Sequence, residues 1–240
     1  MAINKNQISI LFSLLLSACA SQVPQEAAKP AKVPKNAGSI IYFEETTSSD
    51  GTVPVRMLIT RRFLRLDDGK DSDDYVLFDR MNKIIYNVVN DDQTVMVMNS
   101  VPPKNFNVKM PKWKIQSQPS NALMRSDSKT TTGATYYKLS LSDKECYNVV
   151  TLNNILGDES KALQEYYVVL SNELKKSYHP SADSACFDAV NILDPKKRYS
   201  MGFPYREWSS YGYQRFLQNY QQRVIFPESL FDIPKNYHRY

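Results

Sequence analysis

The chain has 240 residues and a formal charge of +5, with thirteen Pro, seven Gly, sixteen Tyr and three Cys. Hydrophobic residues at 42% and charged ones at 23% are ordinary for a globular protein and exclude wholesale disorder and collagen-like repeats. So weak a positive charge over this length does not point to nucleic acid, and the odd number of cysteines requires an explanation.

The leader supplies part of it. Lys5 precedes an apolar run, Ile8 to Leu16, and the small residues Ser17 and Ala18 lead into Cys19. This is the layout of a secretory signal, and the run is too short to span a bilayer, which takes about twenty apolar residues. The ending Leu16-Ser17-Ala18-Cys19 resembles the lipobox of bacterial lipoproteins. That resemblance implies residues 1–18 as a cleaved signal peptide and Cys19 as the lipidated residue, diacylated on sulfur and acylated on its new amino group. Several acyl chains of the palmitate type anchor a protein stably, where one does not. The other reading is a free Cys19 in an ordinary signal peptide or a buried helix, which the scarcity of polar positions in the run opposes. Ala20 and Ser21 follow where an Asp would mark inner-membrane retention in such lipoproteins. The implied location is therefore the periplasmic face of the cell outer membrane. Residues 19–38, punctuated by Pro24, Pro30 and Pro34, read as an extended tether with a reach of up to about 50 Å.

Residues 39–240 read as a single β-rich domain. Ile40–Phe43 is a β-branched and aromatic run, followed by turn chemistry at Ser48-Ser49-Asp50-Gly51. Val53, Val55, Met57 and Ile59 alternate with their neighbours, so a second strand has an apolar face of period two, continuing through Phe63–Leu66 to an acidic loop. Tyr75–Phe78, Ile84–Val89 and Thr94–Met98 follow as three more strands with short turns between them, which forms an antiparallel meander. After a break marked by Pro102, Pro103 and Pro111, strands resume at Ala134–Leu141 and Cys146–Leu152. Between Asp158 and Lys176, Leu163, Tyr166, Tyr167, Leu170 and Leu174 fall at helical spacing with Asp158 as a cap. Tyr166–Leu170 is nonetheless β-branched and aromatic, and the reading adopted is a strand at the centre running into helix. Ser181–Leu193 predicts a short helix capped by Ser181, and strands near Tyr205–Ser209 and Tyr213–Ile225 complete the sheet.

With Cys19 assigned to lipid, Cys146 and Cys186 remain, and the periplasm is oxidising. A zinc site would need ligands at suitable spacing, and the histidines, His179 and His238, form no such cluster. A redox pair would show Cys-x-x-Cys, which is absent. A structural Cys146–Cys186 disulfide is the reading that remains, contributing roughly 4 kcal/mol on a chain-entropy basis. Asp67–Asp74 carries five acids in eight residues but lacks the glycine and glutamate positions of an EF-hand loop, and reads as a solvated hairpin loop beside Arg61, Arg62 and Arg65. No nucleophile elbow, zinc-protease helix or phosphate-binding glycine loop occurs, so no catalytic residue, metal or cofactor is assigned. Trp113, Trp208 and the Tyr-rich tail fit a β-core, or the lining of a ligand cavity.

The last forty residues carry a further resemblance. Gly202-Phe203-Pro204, the strand ending Arg223-Val224-Ile225, and Ser229-Leu230-Phe231-Asp232-Ile233-Pro234-Lys235-Asn236-Tyr237 look like the ending of a bacterial family of secreted proteins and lipoproteins with a domain of unknown function. Cys146-Tyr147 is similar to a Cys-Tyr pair in that family. The polar segment between Val101 and Gly133 departs from it and leaves strand order across 101–133 open. The layout also resembles the half-barrel of periplasmic lipoprotein carriers and their outer-membrane receptor. The expected fold is mainly β (α+β), a curved antiparallel sheet or half-barrel wrapping one or two short helices. The expected function is a membrane-anchored, non-enzymatic binding module for an apolar or lipid ligand. The alternative is a structural or assembly factor docking another cell-envelope protein, and a carboxylate hydrolase ranks last.

Overall fold

The computed structural model describes residues 34–49, 51–70, 74–99, 101–120 and 133–240. The expected signal peptide, Cys19 and the expected tether up to residue 33 lie outside the described residues. Twelve strands build one curved sheet: β1 (Ala37–Thr47), β2 (Gly51–Thr60), β3 (Phe63–Asp67), β4 (Tyr75–Asp79), β5 (Ile84–Val89), β6 (Thr94–Asn99), β7 (Trp113–Pro119), β8 (Ala134–Leu141), β9 (Lys144–Leu152), β10 (Phe203–Ser209), β11 (Gln214–Ile225) and β12 (His238–Arg239). Their order across the sheet is β12-β6-β5-β4-β3-β2-β1-β11-β10-β9-β8-β7. Every pairing is antiparallel except β12 on β6. Helices α1 (Gly157–Leu174) and α2 (Ala185–Asp188) sit between β9 and β10 in the chain. The curved sheet with few helices is the expected architecture.

The β1–β6 half is apolar on both faces. On the inner face Ile41, Phe43, Met57, Ile59, Leu64, Phe78, Ile85 and Met98 pack against Ala162, Leu163, Tyr166 and Val169 of α1. On the outer face Leu58, Tyr75, Leu77, Val88 and Val95 pack against Phe226 and Phe231 of the tail. Each fully buried Val, Leu, Ile, Phe or Met side chain among them contributes about 1.5–3 kcal/mol, which helps hold helix and tail onto the sheet. Gly38 is needed where β1 passes β2, because a Cβ there would stand 1.9 Å from the Ile59 carbonyl oxygen.

Four local expectations are corrected. The strand drawn from Val53 through Leu66 is two strands, since Thr60 Oγ1 accepts the Phe63 N–H at 2.9 Å and Ile59 pairs with Leu64. The phase of the apolar positions slips there from odd (Met57, Ile59) to even (Leu64, Leu66), which a continuous strand cannot accommodate. The strand expected at Tyr166–Leu170 is the middle of α1, because burial of one helical face overrides the local β preference of Val168 and Val169. Asp158 lies in the first turn of α1 without capping it; the cap position is Leu156, in the left-handed region at φ 54° and buried beneath the helix. Finally, the helix expected over Ser181–Leu193 begins at Ala185 and continues as a wider π-type turn over Ala189–Leu193, with Ser184 at its cap.

Candidate functional site

The hollow of the curved sheet is occupied by α1 and its packing partners; Phe43, Leu64, Phe78, Ile85, Leu163 and Phe203 are all at most 2% exposed. Polar groups converge beside this core, where β9, β10 and β11 meet α1 and the turn at Lys197–Tyr199. Glu207 on β10 is fully enclosed. Its Oε1 accepts from Arg198 Nη2 at 3.0 Å and from the Tyr213 hydroxyl at 3.0 Å, and its Oε2 accepts from the Tyr147 hydroxyl. Arg215 Nε stands 3.4 Å from the same carboxylate and 2.7 Å from Glu45 Oε1 on β1, while Nη2 donates to the Tyr167 hydroxyl at 3.0 Å. The contact to Glu45 is an ion pair rather than an aligned hydrogen bond. Arg198 also lies over the rings of Tyr147, Tyr167, Tyr199 and Tyr213 at 4.8–5.3 Å.

The electrostatics of this cluster close on themselves. Burial opposes ionisation of Glu207, but the guanidiniums of Arg198 and Arg215 and the two tyrosine hydroxyls outweigh it and hold its carboxyl below the usual glutamate value. Burial also opposes the charges of Arg198 and Arg215, and their carboxylate and tyrosine neighbours keep both firmly protonated. Tyr147 is pushed well up, first by burial and then by Glu207, so it stays a neutral donor. Two guanidiniums face two carboxylates, so no net charge is left over for a ligand. Among the described residues the Tyr199 hydroxyl and Arg215 Nη1 are buried without a hydrogen-bond partner. The cluster ties four strands to the helical layer, and its enclosed carboxylate accepts three hydrogen bonds from groups of the cluster itself.

Sequence reasoning missed these residues, yet a signal was present. Arg215 sits in phase with buried Leu217 on one strand and Glu207 with half-buried Tyr205 on the next, placing opposite charges on the apolar side of adjacent strands.

The residues singled out from sequence fall in separate places. Cys146 on β9 and Cys186 on α2 form the expected disulfide, with Cα atoms 5.0 Å apart and Leu139, Val149 and Val190 around it. His179 and His238 are both exposed, and no metal-binding group of acids, histidines or cysteines occurs among the described residues. Asp67 departs from the solvated loop expected of it. It is buried, takes Arg56 Nε at 2.7 Å and Arg65 Nε at 2.6 Å, and fixes the outer face of the sheet.

That outer face is crossed by the tail. Arg65 Nη1 donates to the Leu230 carbonyl at 2.8 Å, the Tyr75 hydroxyl to the Asp232 carbonyl at 2.6 Å, and the Tyr237 hydroxyl to Asn90 Oδ1 at 3.0 Å. Phe231 stacks on Phe63 and meets Phe226 edge-on. The tail ends as β12, which bonds β6 through Val97 N to the Tyr240 carbonyl and Tyr240 N to the Val95 carbonyl. One edge of the sheet is thereby covered by the chain's own terminus.

The opposite edge is β7, a strand that the sequence did not announce. It pairs with β8 from Trp113↔Leu141 to Pro119↔Thr135, and among the described residues no strand lies on its other side. Trp113 anchors it by donating Nε1–H to Asp194 at 3.0 Å, while every residue from Lys114 to Pro119 is exposed. The preceding segment, 101–112, exposes Val101, Val108 and Met110, and Phe106 packs on Tyr178 beneath Lys175. Lys104, Lys109, Lys112 and Lys114 are all exposed, and 101–119 contains no acid.

No protein-family model matches the chain, and no curated protein matches it. Among solved structures, PNGF-II in a C2 and in a P21 space group is similar at 10% and 9% identity, with TM-scores of 0.42 and 0.41. Each likeness covers 85% of this chain and 31% of the PNGF-II chain.

Proposed function

We propose that this chain is a non-enzymatic docking module of the bacterial cell envelope, tethered to the outer membrane through lipid on Cys19. The observation that carries the docking role is the exposed edge of β7, along which no strand lies among the described residues, while the other end of the sheet is closed by the two-residue β12. A seven-residue strand offers roughly 24 Å of edge, enough for about three outward N–H and three outward C=O groups. Such an edge is either protected or used, and strand addition is a common mode of protein recognition. The apolar-ligand role draws on the curvature of the sheet, but α1 fills that hollow, so docking is the reading preferred. The tether is supported by the run from Ile8 to Leu16 ahead of Cys19.

Two measurements in intact cells test the two halves. A photo-crosslinking residue placed at Gln116 is expected to give a discrete protein adduct that the same residue at Met81, exposed on the β4–β5 turn, does not give. Equal behaviour at the two positions overturns the docking role. Cys19→Ser is expected to move the protein out of the membrane fraction and abolish labelling by a palmitate analogue; retained labelling overturns the tether.

A further inference from the structure

We infer that the β7 edge selects its partner by charge and takes an extended acidic segment of another protein as an added strand. The inference rests on the docking reading and names the chemistry of the partner. Backbone groups along a strand edge bind any extended chain, so selectivity must come from the side chains that flank it. Here they are of one sign. Lys114 in β7 and Lys112 just before it reach solvent, as do Lys104 and Lys109 in the segment leading into the strand; no acid lies between 101 and 119, and none of the four is paired among the described residues. A second copy of this chain is a poor occupant, because joining two β7 edges brings Lys112 and Lys114 from each side to one seam. Lysines and the bracketing Pro111 and Pro119 are the devices that keep a sheet edge from pairing indiscriminately. An incoming strand with Asp or Glu at alternate positions converts that repulsion into attraction on one of its faces. Its other face can cover Ile115, which is 40% exposed on the side of the sheet where Leu139 is buried.

The test uses the full chain in a mild non-ionic detergent and two synthetic ten-residue peptides. One alternates Glu with Val and Thr, and the other carries Lys in place of each Glu. The Glu peptide is expected to slow amide hydrogen exchange across 113–119 and to bind at least tenfold more tightly than the Lys peptide at low salt, with the difference shrinking at 0.5 M salt. Lys112→Glu with Lys114→Glu, both at exposed positions, is expected to leave the melting temperature unchanged and to invert the preference. If neither peptide protects 113–119, or if the double variant keeps the preference of the parent, the inference fails. It fails also if the Glu peptide is inert while phosphatidylcholine vesicles containing phosphatidylglycerol bind through these lysines, since the face would then be a lipid surface. A Gln116 adduct in cells that survives the double charge reversal removes the charge selection but leaves the docking role standing. Loss of the adduct in the parent itself removes both.

Discussion

Glu207→Gln probes the ion cluster most directly. The side chain is fully enclosed, and the substitution preserves its shape while removing its charge. Gln still offers one carbonyl oxygen to Arg198 Nη2 or the Tyr213 hydroxyl. It leaves Arg198, 3% exposed, with no carboxylate within ion-pair distance, and leaves Arg215, also 3% exposed, with Glu45 alone. Removing one partner of a buried pair costs about 3–5 kcal/mol, because the remaining charge keeps its desolvation penalty. The retained acceptor argues for the lower figure, about 3 kcal/mol, equivalent to a fall in melting temperature of roughly 6–12 °C for a domain of this size. Thermal unfolding followed by circular dichroism at pH 7 measures it directly.

The pH dependence supplies a second readout. The folded-state value of Glu207 is depressed, first against burial and then by Arg198 and Arg215, so its contribution is fully present above the unfolded value. That contribution is lost as pH falls through the lower, folded value. The gap between parent and Glu207→Gln is therefore expected to be constant above about pH 5 and to narrow below about pH 4. A variant that melts within 2 °C of the parent, or a gap that widens on acidification, refutes the reasoning.

The disulfide and the tail give two simpler tests. Cys146→Ala with Cys186→Ala opens a loop with a sequence separation of 40, which the chain-entropy relation values at about 4 kcal/mol, or roughly 8–16 °C in melting temperature. A melting curve unchanged by the double substitution would show that the bridge does not constrain the unfolded chain. Tyr75→Phe deletes the hydroxyl that donates to Asp232 and is expected to cost about 1 kcal/mol. Its effect should be local: amide hydrogen exchange at 238–240 rises several-fold while that of β4 and β5 is unchanged, and uniform acceleration throughout the sheet would count against a latch.

How far the fold was legible varied with the range of the forces involved. The hairpins of β4, β5 and β6 are set by short turns and alternating side chains, and both are local properties of sequence. The Cys146–Cys186 bridge was legible because, once Cys19 is read as lipidated, two cysteines remain with neither Cys-x-x-Cys spacing nor a histidine cluster to suggest another use. Tyr166–Leu170 misled because local preference and final burial disagree there, and the sheet it packs on lies far away in sequence. β7 has no buried face and so no alternation to read: Lys114 to Pro119 are exposed on both sides, and only its pairing with β8 makes it a strand. β12 is two residues long and exists through pairing with β6, more than a hundred positions earlier. The Arg198–Glu207–Arg215 cluster depends on three elements meeting, although the apolar phase of Arg215 hinted at it.

The tail shows which parts of the sequence carry information about structure and which about partners. Phe231, Ile233 and Tyr237 of Phe231-x-Ile233-Pro234-x-x-Tyr237 each have a mechanical task on the outer face. Phe231 fills the space between Phe63 and Phe226, Ile233 packs into the same cluster, and Tyr237 reaches Asn90. The Leu230 and Asp232 carbonyls receive Arg65 and Tyr75 from the strands beneath. A segment so constrained holds its residues for packing, and its pattern identifies a way of sealing a sheet rather than an activity. The reverse holds at β7, where six consecutive residues touch little of the rest of the molecule and packing imposes almost nothing on their identity. Four lysines and no acid over 101–119 are therefore not explained by packing, and lysines beside a sheet edge bar it from pairing indiscriminately. The two edges of the sheet thus answer to different constraints, one to the chain's own tail and the other, on the docking proposal, to a partner strand.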